Sequence, residues 1–181
     1  RQMCIRDRFT GGYSLGDVDV FVDSDWTGDI LTRKSTTGAV IKVGGSVVKT
    51  YSRNQKTITL SSAEAELYAI ISGTSEGVGI ATVCKDFGFQ VNVRVHTDSS
   101  AATGITKRSG CGKVRHLQTQ FLLIQEMVTS GRIKIYKVGG LVNPADLMTK
   151  FLVGHVIRDH LARLSMGPSA ERPKELSLIH I

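Results

Sequence analysis

Residues 17–26 read DVDVFVDSDW, an alternation that becomes a β-branched apolar run and stops on acidic residues. A strand entering a core reads this way, with Asp23 near its end. Downstream, TTGAVIKV (36–43) and SVVKTYS (46–52) flank Gly44-Gly45 as a hairpin, and QKTITL (55–60) offers a further short extended piece, so the sheet starts antiparallel. Ser61-Ser62-Ala63-Glu64 has capping-box spacing. Apolar positions at Ala65, Leu67, Ala69, Ile70, Ile71, Val83 and Phe87 then predict a long helix ending near Gly88. Gly73, Gly77 and Gly79 weaken that helix, each by about 1 kcal/mol against Ala. VNVRVHTD (91–98) is the clearest strand of the chain, with Asp98 at its C-terminal end. Ser99–Thr106 follows as a short helix, KRSGCGKVRH (107–116) as a basic loop, and His116–Ser130 as another helix through Leu117, Phe121, Ile124 and Val128. GRIKIYKV (131–138) is a fifth strand, and Asn143-Pro144 starts a final helix whose first turn holds Asp146. Strands first, then helix and strand in alternation, predict an α/β domain: a five-stranded mixed sheet flanked by helices, three antiparallel strands with parallel additions.

Four carboxylates sit where such a sheet gathers its ends. Asp23 and Asp98 close strands, Glu66 lies one turn into the long helix, and Asp146 opens the last one. Brought together, they repel one another and protonate unless a cation neutralises them. A site made only of hard oxygens suits magnesium or manganese.

The segments FVDSDWTGD, TRKSTTG, QKTITLSSAEAELYAI, VHTDSSAA and NPADLMTK, in this order, closely resemble the ribonuclease H domain at the C-terminus of a copia-type, Pseudoviridae-like retrotransposon Pol polyprotein. The resemblance covers roughly residues 11–152 and implies the ribonuclease H-like fold. It carries the family's metal-binding, catalytic set onto Asp23, Glu66, Asp98 and Asp146. A transposon integrase would be expected to end its set on Glu, where this chain has Asp146. What the resemblance implies is an endonuclease that cuts the RNA strand of RNA/DNA hybrids during reverse transcription. Two magnesium ions about 4 Å apart, replaceable by manganese, would activate water and stabilise the departing 3′ oxygen, leaving 5′-phosphate products. Its partners would be the hybrid and a reverse transcriptase domain N-terminal in the parent polyprotein. Its place would be the cytoplasm, in a virus-like particle, with the nucleus as an alternative.

Glu64 and Glu66 compete for one role. Glu64 is explained as the capping-box partner of Ser61, while Glu66 matches the family's catalytic position. Asp25 is a turn residue or a neighbour supporting Asp23, and Trp26 packs at the turn or stacks on the hybrid. A hybrid's wide minor groove has 2′-hydroxyls on one strand only, which lets a site cut RNA and spare DNA. Ser99 and the backbone near Ser24 are candidate contacts to that strand, with Arg33, Lys34 and His116 as further substrate contacts. Arg53, Lys56, Lys107, Arg108, Lys113 and Arg115 are candidate phosphate holders, each also readable as solvated charge. Two features depart from the family. The loop VGGLVNP (138–144) lacks the histidine that cellular ribonucleases H carry before the last Asp, and HLQTQFLL (116–123) replaces the usual polar run. Two alternatives stand beside the enzyme: a catalytically decayed nucleic-acid-binding or connection domain, and an integrase-type or resolvase-type nuclease.

The ends look foreign to the domain. Gln2–Arg8, QMCIRDR, can be encoded by CAG ATG TGT ATA AGA GAC AGN, whose reverse complement in another frame gives LSLIHI, Leu176–Ile181. A sequencing-adapter origin is expected for residues 1–8 and 176–181, which makes the chain a fragment with a domain at 11–165 and a loose tail at 166–175. The formal charge of +7 over 181 residues falls to +5 without Arg1, Arg6, Arg8 and Asp7. A basic surface around an acidic site suits a nuclease, attracting phosphate while the site holds metal. Besides Cys4, only Cys84 and Cys111 remain, with no zinc-ligand or disulfide spacing. No apolar run approaches the roughly 20 residues that span a bilayer and no signal peptide is visible, so a soluble protein with no membrane partner is expected.

Overall fold

In a computed structural model, residues 5–7, 15–108 and 119–168 are described. Five strands form one sheet: β2 (Val18–Asp25), β3 (Thr36–Val43), β4 (Ser46–Asn54), β5 (Val93–Thr97) and β6 (Ile133–Lys137). Their spatial order is β4-β3-β2-β5-β6, the first three antiparallel and the last two joined in parallel. Two further short strands, β1 (Ile5–Asp7) and β7 (Met166–Pro168), pair antiparallel in a separate ribbon. The helices are α1 (Ser62–Asp86), α2 (Ser100–Thr106), α3 (Thr119–Thr129) and α4 (Gly154–Arg163).

The β3–β4 hairpin turns at Gly44 and Gly45, whose φ values of 56° and 85° fit a tight turn following the sheet's twist. Val18, Val20 and Val22 alternate on β2 and are fully buried together with Leu67, Ala69 and Ile70 of α1, as period 2 meeting period 3.6 requires. α1 settles close to the sheet because two of its glycines lie in the contact. A Cβ at Gly73 would stand 2.4 Å from Val22 Cγ1, and one at Gly77 2.6 Å from Val20 Cγ2. The two glycines thus lose helix propensity but permit close packing, whereas Gly79 has open space. By length and composition α1 is also apolar enough to cross a membrane, a property that its interspersed polar residues and glycines hide from a reading of uninterrupted runs; in this fold it lies along the sheet.

On the other face, Phe21, Val40, Val47, Leu147, Met148, Leu164 and Met166 form a second apolar cluster. Beside it, Arg94 donates two 2.8 Å hydrogen bonds to Asp19, and His96 Nε2 lies 2.8 Å from the same carboxylate. The His96 ring stacks between Phe21 and Tyr136. β2, β5 and β6 are thereby tied by side chains as well as by their ladder. Against burial, the hydrogen bonds from His96 and Arg94 hold the Asp19 carboxyl down to about 2.

Three expectations need correction. QKTITL forms no strand; Gln55 instead points inward, donating to Thr37 Oγ1 and the Ala65 carbonyl. Asn143-Pro144 does start a helical segment with Asp146 in its first turn, but that segment is a short 3₁₀ stretch, Pro144–Met148, and it is not the final helix, since α4 follows from Gly154. Beyond residue 165 the chain still pairs, through β7. The basic loop from Ser109 onward, with Lys113, Arg115 and His116, lies outside the described residues, as do residues 1–4, 169–175 and 176–181.

Candidate metal centre

Asp23 reaches the site because β2 runs in the middle of the sheet and its last residues emerge at the sheet's end. The side chain is 2% exposed. Glu66, 9% exposed, comes from the second turn of α1, which Ser61 caps by accepting from the Glu64 N–H at 3.2 Å. Glu64 returns its Oε2 to the Leu60 N–H at 2.8 Å. This closes the start of the helix and separates the two glutamates: Glu64 serves the cap, and Glu66 faces the acidic cluster. Asp98 directly follows β5, ahead of Ser99, whose Oγ caps α2 by accepting from the Ala102 N–H.

One ligand oxygen from each of Asp23, Glu66 and Asp98 lies within 4.8 Å of the others. Ser24 fixes Glu66, donating to Oε1 from its N–H at 3.1 Å and its hydroxyl at 3.0 Å. The other oxygen, Oε2, is buried without a partner. An orphaned buried acceptor beside two more carboxylates is costly unless a proton or a cation meets it. Burial, then the charge of Asp23, pushes the Glu66 carboxyl up to about 8. Asp23 is raised as well, by burial first, against the lowering effects of Thr149 and Lys150. The donors are all hard oxygens, so the set fits magnesium or manganese.

Asp146 arrives by a different route. Asn143 is fully buried, donates from Nδ2 to the Val22 carbonyl at 2.9 Å and caps the 3₁₀ turn by accepting from the Ala145 N–H. Gly38, paired with Asp23 across the sheet, clears the ground for that turn: a Cβ there would lie 2.6 Å from Thr149 Cγ2 and 2.7 Å from Met148 Cβ. The docked segment brings Thr149 Oγ1 to donate to Asp23 Oδ2. It also brings Lys150 Nζ to 2.9 Å from Asp146 Oδ1 and 3.4 Å from Asp23 Oδ1. Asp146 therefore joins Asp23 through an ammonium. Gly140 lies against Asp98, with Oδ2 3.2 Å from where its Cβ would be.

Among the other candidate contacts, Ser24 commits its N–H and hydroxyl to Glu66, and Ser99 serves as a cap. Arg33 and Lys34 stand in the β2–β3 loop, Arg33 exposed and at φ 58°. Arg53 is engaged by Glu76 at 2.9 Å and by the Tyr51 ring, while Lys56, Lys107 and Arg108 are exposed. Trp26, half exposed, donates to the Thr59 carbonyl. Sequence reading took Asn143 only as a helix start, without its bond to Val22, and missed Gly38, Thr149 and Lys150. Two of these carried a signal: a glycine inside a strand marks a close approach, and Lys150 stands at i+4 from Asp146.

Three antiparallel strands continued by two parallel ones, with carboxylates gathered at the sheet's end, define a ribonuclease H-like domain. LC11-RNase H1, isolated from compost by a metagenomic approach, superposes with a TM-score of 0.56 over 80% of this chain and 98% of its own, at 18% identity. The chain is homologous to the retrovirus-related Pol polyproteins of plant transposons. It is 32% identical over 132 residues to that of transposon TNT 1-94 from Nicotiana tabacum, covering 72% of this chain and 10% of the relative. Against the polyprotein of transposon RE2 from Arabidopsis thaliana it is 26% identical over 133 residues, covering 72% and 9%. The chain thus spans about a tenth of the length of these relatives. No protein-family model matches it.

Proposed function

We propose that this chain is a metal-dependent endonuclease that hydrolyses the RNA strand of RNA/DNA hybrids during reverse transcription of a retrotransposon. The carrying observation is the convergence of Asp23, Glu66 and Asp98 within 4.8 Å around a buried, unpartnered Glu66 oxygen. The ribonuclease H-like fold and the Pol polyprotein relatives support the same reading.

Asp23, Glu66 and Asp98, with Asp146 beside them, would hold magnesium or manganese. Bound there, such ions supply Lewis-acid activation of water and charge neutralisation at the scissile phosphate. The chain's own part is placement. β2 carries Asp23, the neighbouring β5 leads directly into Asp98, Ser24 orients Glu66, and Asn143 with Gly38 delivers Asp146. Arg33 and Lys34, in the β2–β3 loop, would hold backbone phosphate, and selectivity for RNA would rest on 2′-hydroxyls presented in the hybrid's minor groove. In its parent polyprotein the domain would follow a reverse transcriptase that shares the hybrid, inside a cytoplasmic virus-like particle.

The test is a hybrid labelled on each strand separately, incubated with magnesium and with the wild-type chain or Asp98→Asn. RNA-strand cleavage reduced at least about 100-fold in the folded variant is expected, since a fixed metal ligand contributes several kcal/mol to the transition state. Folded wild-type protein that binds hybrid and leaves both strands intact would replace the enzyme with a decayed binding domain. Cleavage of DNA instead would move the assignment to an integrase-type or resolvase-type nuclease.

A further inference from the structure

The acidic cluster already contains one cation, and it belongs to the protein. Lys150 Nζ sits 2.9 Å from Asp146 Oδ1 and 3.4 Å from Asp23 Oδ1, joining carboxylates that come from opposite ends of the domain. Asp23 is thereby fully engaged: Oδ1 by Lys150, Oδ2 by the Thr149 hydroxyl. Glu66 is not, because its Oε2 has no partner. The cluster is thus divided into two unequal halves. Asp23, Glu66 and Asp98 face one another with an acceptor to spare, whereas the pairing of Asp23 with Asp146 is filled by an ammonium.

We propose that Lys150 is a tethered competitor for the second divalent ion: it occupies the position between Asp23 and Asp146 and must swing out before an ion can enter there. The inference rests on the metal-binding part of the reading above, not on cleavage. The geometry permits the exchange. The Lys150 backbone is fixed, its N–H donating to the Asp146 carbonyl at 3.0 Å, so the residue cannot drift away. Its side chain is 41% exposed, so the ammonium has a path to water, where a compact, strongly hydrated charge on a four-carbon stem is at home. A phosphate entering with a substrate would offer that ammonium a new anionic partner. One ion would therefore bind readily to the free protein, and the second chiefly when nucleic acid draws Lys150 aside.

The test counts manganese bound by the 181-residue chain without nucleic acid, from the electron paramagnetic resonance signal of free ion and from calorimetry. It compares wild type, Lys150→Met and Lys150→Arg, each checked for fold by circular dichroism. Wild type should bind one ion with a much weaker second. Lys150→Met should bind the second tighter by roughly tenfold or more, a factor worth about 1.4 kcal/mol. It should also melt lower than wild type in EDTA, from unrelieved repulsion between Asp23 and Asp146, and recover with manganese. Lys150→Arg, which keeps the charge, should resemble wild type. Equal second-ion affinity in wild type and Lys150→Met would overturn the role of Lys150 while leaving the metal centre standing. Absence of binding to every variant would overturn the metal centre, and this inference with it.

Discussion

Replacing Glu66 by Gln should make the metal-free protein more stable, although it removes an ionisable group from the centre of the site. The Glu66 side chain is 9% exposed, Ser24 satisfies Oε1 twice, and Oε2 is left without a partner. Burial and then Asp23 push its carboxyl from 4.5 up to about 8. A raised value means that the folded protein holds the proton more tightly than the unfolded chain does. The contribution of Glu66 to stability is therefore fully present below pH 4.5 and drains away as the pH climbs toward 8. By pH 7 the loss amounts to about 3 kcal/mol, at roughly 1.4 kcal/mol per pH unit. Glutamine has nearly the same shape, keeps an acceptor for Ser24, and can donate toward the neighbouring carboxylates from the position of Oε2. Allowing for the burial of its own amide, the substitution should gain about 1.5–3 kcal/mol in EDTA at pH 7, a rise in Tm of roughly 4–10 °C for a domain of this size. Urea unfolding followed by circular dichroism at pH 5, 7 and 8.5 measures it. The wild-type midpoint should fall across that range, while the variant, left only with the smaller contribution of Asp23, falls less. Saturating magnesium should reverse the ranking, because the ion binds the carboxylate far better than the amide. A Glu66→Gln variant that is no more stable than wild type in EDTA, with a parallel pH profile, would refute the reasoning.

Three further outcomes follow from the packing. Gly73→Ala drives a methyl into Val22 and should cost about 1–3 kcal/mol, whereas Gly79→Ala, with open space around it, should gain up to about 1 kcal/mol; thermal melts of the pair decide. Asn143→Ala removes the donor to the Val22 carbonyl and the cap of the Asp146 turn, and should cost about 2–3 kcal/mol in urea unfolding while weakening manganese binding. Asp19→Asn should cost about 1 kcal/mol at pH 7, since the partly exposed Arg94 is screened by water. Asp19 is held down to about 2, so its contribution is present above about pH 4 and lost as the pH falls through 2. An acid titration of stability should show that step in wild type and not in the variant.

The sheet was legible because its strands keep strict alternation where one face is covered: Val18, Val20 and Val22 on β2, and Val93 and Val95 on β5, are all buried. The capping box could be read from four letters because the cap is a local hydrogen-bond exchange. QKTITL misled, since an extended-looking run does not say whether a sheet edge will accept it, and Gln55 turns inward instead. The extent of the segment after Asn143-Pro144 was not legible for a related reason. The start and the first-turn place of Asp146 are as read, but the turn is packed against β3 at Gly38, a long-range contact, and a further helix, α4, follows it. Three of the four carboxylates meet as their placement at strand ends and on the first turns of α1 implied. What could not be read was the route of the fourth, through an ammonium that its own segment carries.

The docking of Asn143 under Val22 also sets a clock. The two residues are separated by 121 positions, so at roughly 5–20 residues per second of synthesis the strand bearing Asp23 waits about 6–24 s for the turn bearing Asp146. A ribosome between residues 98 and 146 holds a chain with three of its carboxylates and neither Asp146 nor Lys150. The contacts of Lys150 with Asp146 and Asp23 therefore form only after residue 150 has been translated, and a message broken before that codon yields a polypeptide that lacks them.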